Sequence, residues 1–478
     1  MRTPSLLLSA LLFTCSLQAQ HEVSKKYYAP TDPLVAAKLE QWQDLKFGLL
    51  MHWGPYSQWG IVESWSICSE DEGWCERPEE DYIGYKKKYE GLQSTFNPTE
   101  FDPAKWAKAA AGAGMKYVVF TTKHHDGFCM FDTKYTDYKI TDPKTPFSKN
   151  PKANAAKEIF NAFRAEGMWA GAYFSKPDWH SPYYWWPNFA TPDRNVNYDV
   201  KKYPDRWEKF VQYSQNQIME LMTDYGKIDI LWLDGGWVEK LSTEQIKGYI
   251  NSPDYKFMHV QNQDIRMDEL AARARKAQPG LIVVDRAVEG PNQNYLTPEN
   301  QVPKESLSYP WESCMIMGGG WSYSFNANYK SSRELVHLLI DIVAKGGNLL
   351  LNIAPSPKGT WDNAAYERLQ DIGKWMDINK EAIYGTRKIA PYNEGSIYFT
   401  SKKDDSARYI LYCLKEGEKI PEEFLVTGLD AGKSPTIEVL GYKGKVNYSR
   451  SEKGLVIKVP KTLQKETIIP YAVVFKLR

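Results

Sequence analysis

Between residues 40 and 380 the chain alternates short apolar runs with stretches of helical period. The runs are Phe47–Met51, Tyr117–Phe120, Met168–Phe174, Ile228–Leu233, Leu281–Val284 and Asn348–Ile353. Most are apolar almost throughout rather than on alternate residues, which predicts strands buried on both faces of a parallel sheet. Helices are predicted between them. Residues 103–114 put Trp106, Ala109, Ala110 and Ala113 on one face before Gly114. Residues 155–167 carry Ile159, Phe160 and Phe163 and stop at Gly167, and residues 332–346 carry Leu335, Leu338, Leu339, Ile342 and Val343 and stop at Gly346. Strand and helix in alternation argue for βα units. Nearly every run ends, on its C-terminal side, in polar or aromatic residues: His52-Trp53-Gly54, His124-His125-Asp126, Tyr173 to Trp179, Asp234-Gly235-Gly236-Trp237 and Asp285-Arg286. A (β/α)8-like barrel collects its chemistry at those strand ends. A doubly wound sheet would gather it at one switch point, and no glycine-rich phosphate loop follows the first run.

From about residue 390 the pattern changes to short, closely spaced runs. They are Ile397–Phe399, Tyr409–Tyr412, Phe424–Val426, Ile437–Leu440, Leu455–Val459 and Ala472–Phe475, with turn residues such as Lys453-Gly454 between them. This predicts a C-terminal antiparallel β-sandwich over residues 386–478, joined through Lys380–Pro391 to a barrel over residues 21–385.

The first 20 residues read differently again. A basic start, the apolar run from Leu6 to Phe13, and Ser16-Leu17-Gln18-Ala19-Gln20 predict a secretory leader cleaved after Ala19. The expected location is therefore periplasmic or secreted. Lipid attachment at Cys15 is the alternative, although Leu12-Phe13-Thr14 is a poor context for it. The leader is too short to span a bilayer, and no later segment has 18 consecutive apolar residues. Past the leader, five cysteines remain, an odd number, so at least one is free or pairs between chains; Cys68 and Cys75 lie close enough for a local disulfide.

Lysine and arginine (60) nearly balance aspartate and glutamate (59), so nothing electrostatic points to nucleic acid or an anionic membrane as partner. Aromatic residues reach 14% of the 478, with 17 Trp and 31 Tyr. Such an excess suits flat, half-apolar ligands such as sugars, or a Trp-rich core.

Several strand ends carry candidate chemistry. In Trp232-Leu233-Asp234-Gly235-Gly236-Trp237 a carboxylate is followed by two glycines that let a ligand or neighbouring loop come close. Asp234 could attack an anomeric carbon, or simply cap the next turn. In Lys123-His124-His125-Asp126 two adjacent histidines cannot both face inward in regular geometry, which predicts a local irregularity. Hydrogen bonding to sugar hydroxyls is the expected role of the pair, joined by His52. No His-x-x-x-His or His-x-His spacing supports a metal site. Glycoside hydrolysis needs a second carboxyl, and Glu289, Glu299, Glu305 and Glu312 are all candidates that spacing cannot separate.

Taken together, Phe47–Gly54, Tyr117–Phe128, Trp232–Trp237 and Gly347–Pro355 resemble the α-L-fucosidases of glycoside hydrolase family 29, in the same order over roughly residues 40–385. The resemblance implies an exo-acting, retaining enzyme acting on fucosylated oligosaccharides or glycoconjugates, with no metal or organic cofactor. It implies Asp234 as nucleophile and Glu299, in a Thr-Pro-Glu context, as acid/base, with Glu289 as runner-up. His52, Trp65, His124, His125, Tyr173, Trp237 and Arg286 are implied as substrate contacts. Many relatives have Glu directly before the tryptophan that corresponds to Trp65; here Ser64 stands there and Glu63, one residue further back, is expected to make that substrate contact in its place. A related exo-glycosidase on galactose, or a non-catalytic glycan-binding barrel, are the competing readings. Residues 68–89, and Trp179 through Trp186 with the cluster Tyr183-Tyr184-Trp185-Trp186, are expected to shape the leaving-group side.

Overall fold

A computed structural model describes residues 26–68, 77, 79–252, 260–432, 434–463 and 471–478. The leader, with Cys15, lies outside the described residues, as do residues 69–76 and 78 of the segment expected at the leaving-group side, among them Cys75. Cys68 is disulfide-bonded, whereas Cys129, Cys314 and Cys413 are free and buried.

Seven parallel strands form one curled sheet. They are β1 (Phe47–Met51), β2 (Tyr117–Lys123), β3 (Trp169–Ser175), β4 (Ile230–Asp234), β5 (Ile282–Asp285), β6 (Glu312–Ile316) and β7 (Asn348–Asn352). Their spatial order is β5-β4-β3-β2-β1-β7-β6. The eighth position, between β5 and β6, holds an extended segment instead of a regular strand. Gln293 bridges to Val284, and Leu296 and Glu299 bridge in parallel to Trp311 and Cys314. Asn294 N donates to Val283 O at 3.0 Å and Cys314 N to Pro298 O at 3.2 Å, so the segment ties the two edges together. Pro291 and Pro298 have no N–H, which keeps it from becoming a continuous ladder strand. The architecture is thus a (β/α)8-like barrel with one irregular stave, and that stave carries Glu299.

The outer layer consists of α1 (Pro33–Leu45), α2 (Tyr82–Glu90), α3 (Pro103–Gly112), α4 (Ala155–Ala165), α5 (Pro204–Asp224), α6 (Thr243–Ile250), α7 (Met267–Ala277), α8 (Ser332–Ala344) and α9 (Asn363–Asn379). Short polar side chains start several of them. Asp102 and Asn154 accept from the first turns of α3 and α4, and Ser331 makes a reciprocal capping box with Glu334 at α8. None of the described helices is long and apolar enough to cross a membrane.

Beyond residue 385 the strands are β8 (Thr386–Glu394), β9 (Ile397–Lys402), β10 (Arg408–Cys413), β11 (Glu423–Val426), β12 (Ile437–Val439), β13 (Asn447–Ser451), β14 (Gly454–Lys458) and β15 (Ala472–Leu477). They make a five-stranded sheet, β12-β15-β10-β9-β8, and a three-stranded sheet, β11-β14-β13. All six apolar runs read from the sequence are strands here. The two that the pattern did not announce, β8 and β13, are both sheet edges with mostly half-buried or exposed residues. An edge strand needs little apolar surface, so it leaves little apolar signal. The sandwich packs on the barrel through α8 and α9. Trp375 Nε1 donates to Ala472 O at 3.0 Å, and one continuous core runs through both.

The barrel interior holds a buried carboxyl. Glu312 accepts from Tyr117 Oη at 2.5 Å, Tyr295 Oη at 3.2 Å and Trp232 Nε1 at 3.3 Å. Burial pushes it up to about 7, against a downward pull from these three donors. An unfolded chain releases that proton at its ordinary value near 4.5. The folded form therefore binds more protons between about 4.5 and 7, and this contribution to stability is present below that window and lost as pH rises through it. Glu312→Gln removes the titration. Its melting temperature, lower than wild type at pH 5, should approach wild type at pH 7.5; a deficit that is the same at both values would exclude Glu312 as the source.

Candidate functional site

Asp234 ends β4 and is held from three sides. Its Oδ2 accepts from Tyr173 Oη at 2.6 Å, and its Oδ1 accepts from Arg286 Nη1 at 3.1 Å and from the Gly235 N–H at 2.8 Å. His125 Nε2 stands 3.9 Å from Oδ2. Burial would raise this carboxyl, yet Arg286 and the neighbouring donors hold it well below the usual carboxylate range. Asp234 is therefore an anion at any working pH. Gly235 adopts φ +89°, and a Cβ there would sit 2.3 Å from Pro177 Cδ. The turn after β4 can thus close against the loop after β3 only with glycine at this position.

Arg286 follows β5 directly. Its neighbour Asp285 is tied to Lys176 Nζ at 2.5 Å, which leaves the guanidinium to face the barrel mouth. Nη1 goes to Asp234 and Nη2 to Glu299, so one planar cation spans both carboxyls. Glu299 arrives from the irregular stave. The runner-up Glu289 is exposed on the loop after Arg286, where the charges it acts on are those of Lys26, Glu239 and Tyr249. Glu305 accepts from the Tyr392 hydroxyl of β8 at 3.2 Å, and Glu312 is enclosed in the barrel interior.

The three histidines line the same mouth. The expected irregularity exists: the β2–β3 register shifts between Thr121 and Lys123, and the His124 and His125 rings lie 4.2 Å apart. His52 Nδ1 meets Asn352 Oδ1 at 3.0 Å, and Asn352 Nδ2 donates to Trp321 O at 2.8 Å. That second bond orients the amide, so the His52 Nδ1 carries the hydrogen and Nε2 presents a lone pair. Ser64 Oγ contacts His124 Nδ1 at 2.5 Å. Burial lowers His52 to about 4 and His125 to about 3, and takes His124 well below its ordinary value. All three are neutral imidazoles near pH 7, fit to exchange hydrogen bonds with hydroxyls rather than to carry charge.

Aromatic rings form the remaining wall. Trp65 packs edge-on to His125 at 5.0 Å and against Trp237 at 5.9 Å, with the Arg194 guanidinium 5.2 Å from both indoles. Trp237 Nε1 donates to Arg194 O at 3.1 Å. Tyr173 stacks on Trp232 at 5.1 Å. Glu63 is 1% exposed, and burial, reinforced by the charge of Glu299, raises its carboxyl to about 8. It is a neutral acid at pH 7 whose Oε1 meets no partner among the described residues. Asp234, Glu299, Arg286, Tyr173, the three histidines, Trp65, Trp237 and Glu63 thus gather at one mouth, whereas Glu289, Glu305 and Glu312 do not.

Trp185 does not face the mouth. It is 4% exposed, lies flat under Trp179 at 5.0 Å and 5°, and donates to Asn195 O. Its neighbour Trp186 is stacked beneath the Arg206 guanidinium at 3.7 Å. Of the run expected to shape the leaving-group side, Trp179 packs on Trp65 at 5.2 Å and on His125 at 5.1 Å, while Trp185 braces it from below. The residues that reading the sequence passed over are Asn352 and Trp321, and Ser64, noted only as the residue before Trp65, turns out to meet His124. Asn352 did carry a signal, a polar side chain ending the apolar run of β7.

His124, His125 and Asp234 bring ligand atoms within 4.8 Å of one another, the single such group among the described residues. The Arg286 cation against Asp234 disfavours a metal ion there.

A barrel whose strand ends gather an arginine-bridged pair of carboxyls, neutral histidines and indole walls defines a carbohydrate-processing site of the glycosidase type. The α-L-fucosidase family profile matches residues 14–381, and the chain belongs to that family. It is similar to the α-L-fucosidase of Dictyostelium discoideum, 26% identical over 95% of this chain and 96% of that protein. Among solved structures, α-L-fucosidase isoenzyme 1 from Paenibacillus thiaminolyticus superposes with a TM-score of 0.73, at 28% identity over 93% of this chain and 99% of that one. The Thermotoga maritima α-fucosidase in complex with fucose superposes at 0.69, with 27% identity over 92% and 96% of the two chains.

Proposed function

We propose that the protein is an exo-acting, retaining α-L-fucosidase that releases terminal L-fucose from glycans, with Asp234 as nucleophile and Glu299 as acid/base. The observation that carries the residue assignment is the single guanidinium of Arg286 joining the two carboxyls. A retaining pair stands about 5–5.5 Å apart and an inverting pair about 6.5–9.5 Å, so the stereochemical outcome is the direct test.

In the first step Asp234 attacks the anomeric carbon and the glycosidic C–O bond breaks. Glu299 delivers its proton to the departing oxygen. A covalent fucosyl–Asp234 ester results, and Asp234 loses its charge. Arg286 is then left to the Glu299 carboxylate, which takes a proton from water as the water oxygen attacks the anomeric carbon. The C–Oδ bond breaks, and Asp234 returns to its three donors. Two inversions give net retention. Tyr173, holding Oδ2, aligns the attacking carboxylate, and His52, His124 and His125 meet ring hydroxyls. The decisive experiment is hydrolysis of an aryl α-L-fucoside followed by NMR. First-formed α-L-fucose supports this reading, β-L-fucose would refute the mechanism, and cleavage of the galactoside alone would change the sugar.

Because burial holds His52 at about 4, the acidic limb of kcat/KM is expected near pH 4 rather than near 6.5. Replacing the Asn352 amide by a carboxylate stabilises the His52 imidazolium. Asn352→Asp should therefore move that limb upward by a pH unit or more. An unmoved limb would detach it from His52.

The same proposal includes export, to the periplasm or beyond the cell. It rests on the leader pattern and on the disulfide at Cys68, which suits an oxidising compartment. Mass spectrometry of the mature protein should find Gln20 at its N-terminus; an intact Met1 would contradict export.

A further inference from the structure

Two loops meet at the rim beside Glu63. One, after β1, contains Gly60, Ile61 and Val62; the other, after β6, runs from Gly318 to Phe325. Ser322 Oγ donates to Ile61 O, which pins the loops together. Phe325 is 60% exposed, an unusual place for a large aromatic ring, and Val62, two residues after Gly60, is 43% exposed. The ring is nevertheless held. Its inner side lies on Gly60, whose φ is +65° and whose absent Cβ would stand 2.6 Å from Phe325 Cδ2. Tyr323 braces it edge-on at 5.5 Å. Glycine at 60 thus does two things: it allows the left-handed turn, and it lets an aromatic ring lie flat on the backbone with its other face open.

The position of this ring relative to the carboxyls matters. A leaving group must depart on the side of the residue that protonates it, here Glu299. Glu63 links the two regions. It immediately follows Val62, its carboxyl accepts from the Ser322 backbone N–H, and Glu299 is the charge it feels most. At the inner end of the second loop the Trp321 ring is 5.5 Å from His52. The open face of Phe325 therefore continues outward from the fucose mouth on the proton-donor side.

We infer that Phe325, seated on Gly60 and braced by Tyr323, is a stacking platform for the pyranose ring that bears the fucose, and so sets preference among leaving groups. Pyranose rings carry an apolar C–H face that stacks on an aromatic ring. The inference rests on the fucosidase reading above.

Its test compares fucosyl-lactose with α-L-fucosyl fluoride, whose leaving group is too small to reach the platform. In Phe325→Ala, kcat/KM for fucosyl-lactose relative to the fluoride should fall about three- to tenfold. Gly60→Ala, which displaces the ring from beneath, should do the same, and Phe325→Tyr should keep the wild-type ratio. The fluoride rate reports whether each variant is folded. An unchanged ratio in Phe325→Ala overturns the platform while leaving the fucosidase reading intact. Failure of the wild type to cleave the fluoride overturns that reading, and the platform with it.

Discussion

Asp234→Ala should lower kcat on an aryl α-L-fucoside by about six orders of magnitude, the scale seen when a covalent nucleophile is removed. Three features place the largest effect here. Asp234 is the carboxylate kept ionised by Arg286, its Oδ2 is oriented by Tyr173 at 2.6 Å, and it ends β4 at the barrel mouth. Alanine also leaves a small space on the face from which Asp234 attacks. Added azide should enter it and restore turnover, giving fucosyl azide of inverted configuration. Azide product of retained configuration, or residual activity within tenfold of wild type, would remove Asp234 from the nucleophile's role. Folding is controlled by the melting temperature. Arg286 loses one of its two anionic partners but keeps Glu299, so the variant should remain folded.

The second effect falls on the other end of the same guanidinium. Glu299→Gln should lower kcat/KM on natural glycans by about 10²–10⁴-fold, the usual range for lost general acid–base help. Fucosyl fluoride, whose leaving group needs little protonation, should lose much less in its first step. Azide should then capture the ester with retention, because it attacks a fucosyl–enzyme already inverted once. Glu289→Gln serves as the contrast. Its side chain is exposed on the loop after Arg286 and should leave kcat/KM within twofold of wild type. Equal losses at Glu289 and Glu299 would mean that the Arg286 contact does not identify the acid.

The two carboxyls differ in how readily sequence discloses them, and the reason is physical. Asp234 terminates an apolar strand, and a strand's end is marked by its own pattern. Glu299 lies on a segment with Pro291, Pro298 and no hydrophobic period, because that segment bridges two strands by isolated contacts instead of forming a regular ladder. Nothing local distinguishes it from Glu289. The same contrast separates β9 or β10, legible from their apolar runs, from the edge strands β8 and β13, which bury too little to show. Trp185 shows the opposite contrast: within the aromatic run, Trp179 packs on the mouth residues Trp65 and His125 while Trp185 lies beneath it as packing.

What the amino-acid sequence determined by itself is the order of βα units, the sandwich that follows, and the polar residues closing each apolar run. Those features are local, set by period and by residue type at strand ends. Only the tertiary structure decided which carboxyl faces Asp234, which histidine proton is fixed by Asn352, and that Glu63 is buried as a neutral acid. Each depends on side chains far apart in the chain, such as His52 and Asn352, 300 residues distant, meeting in one water-poor mouth. There, short distances and burial set charge and hydrogen-bond direction, and no single segment carries that information.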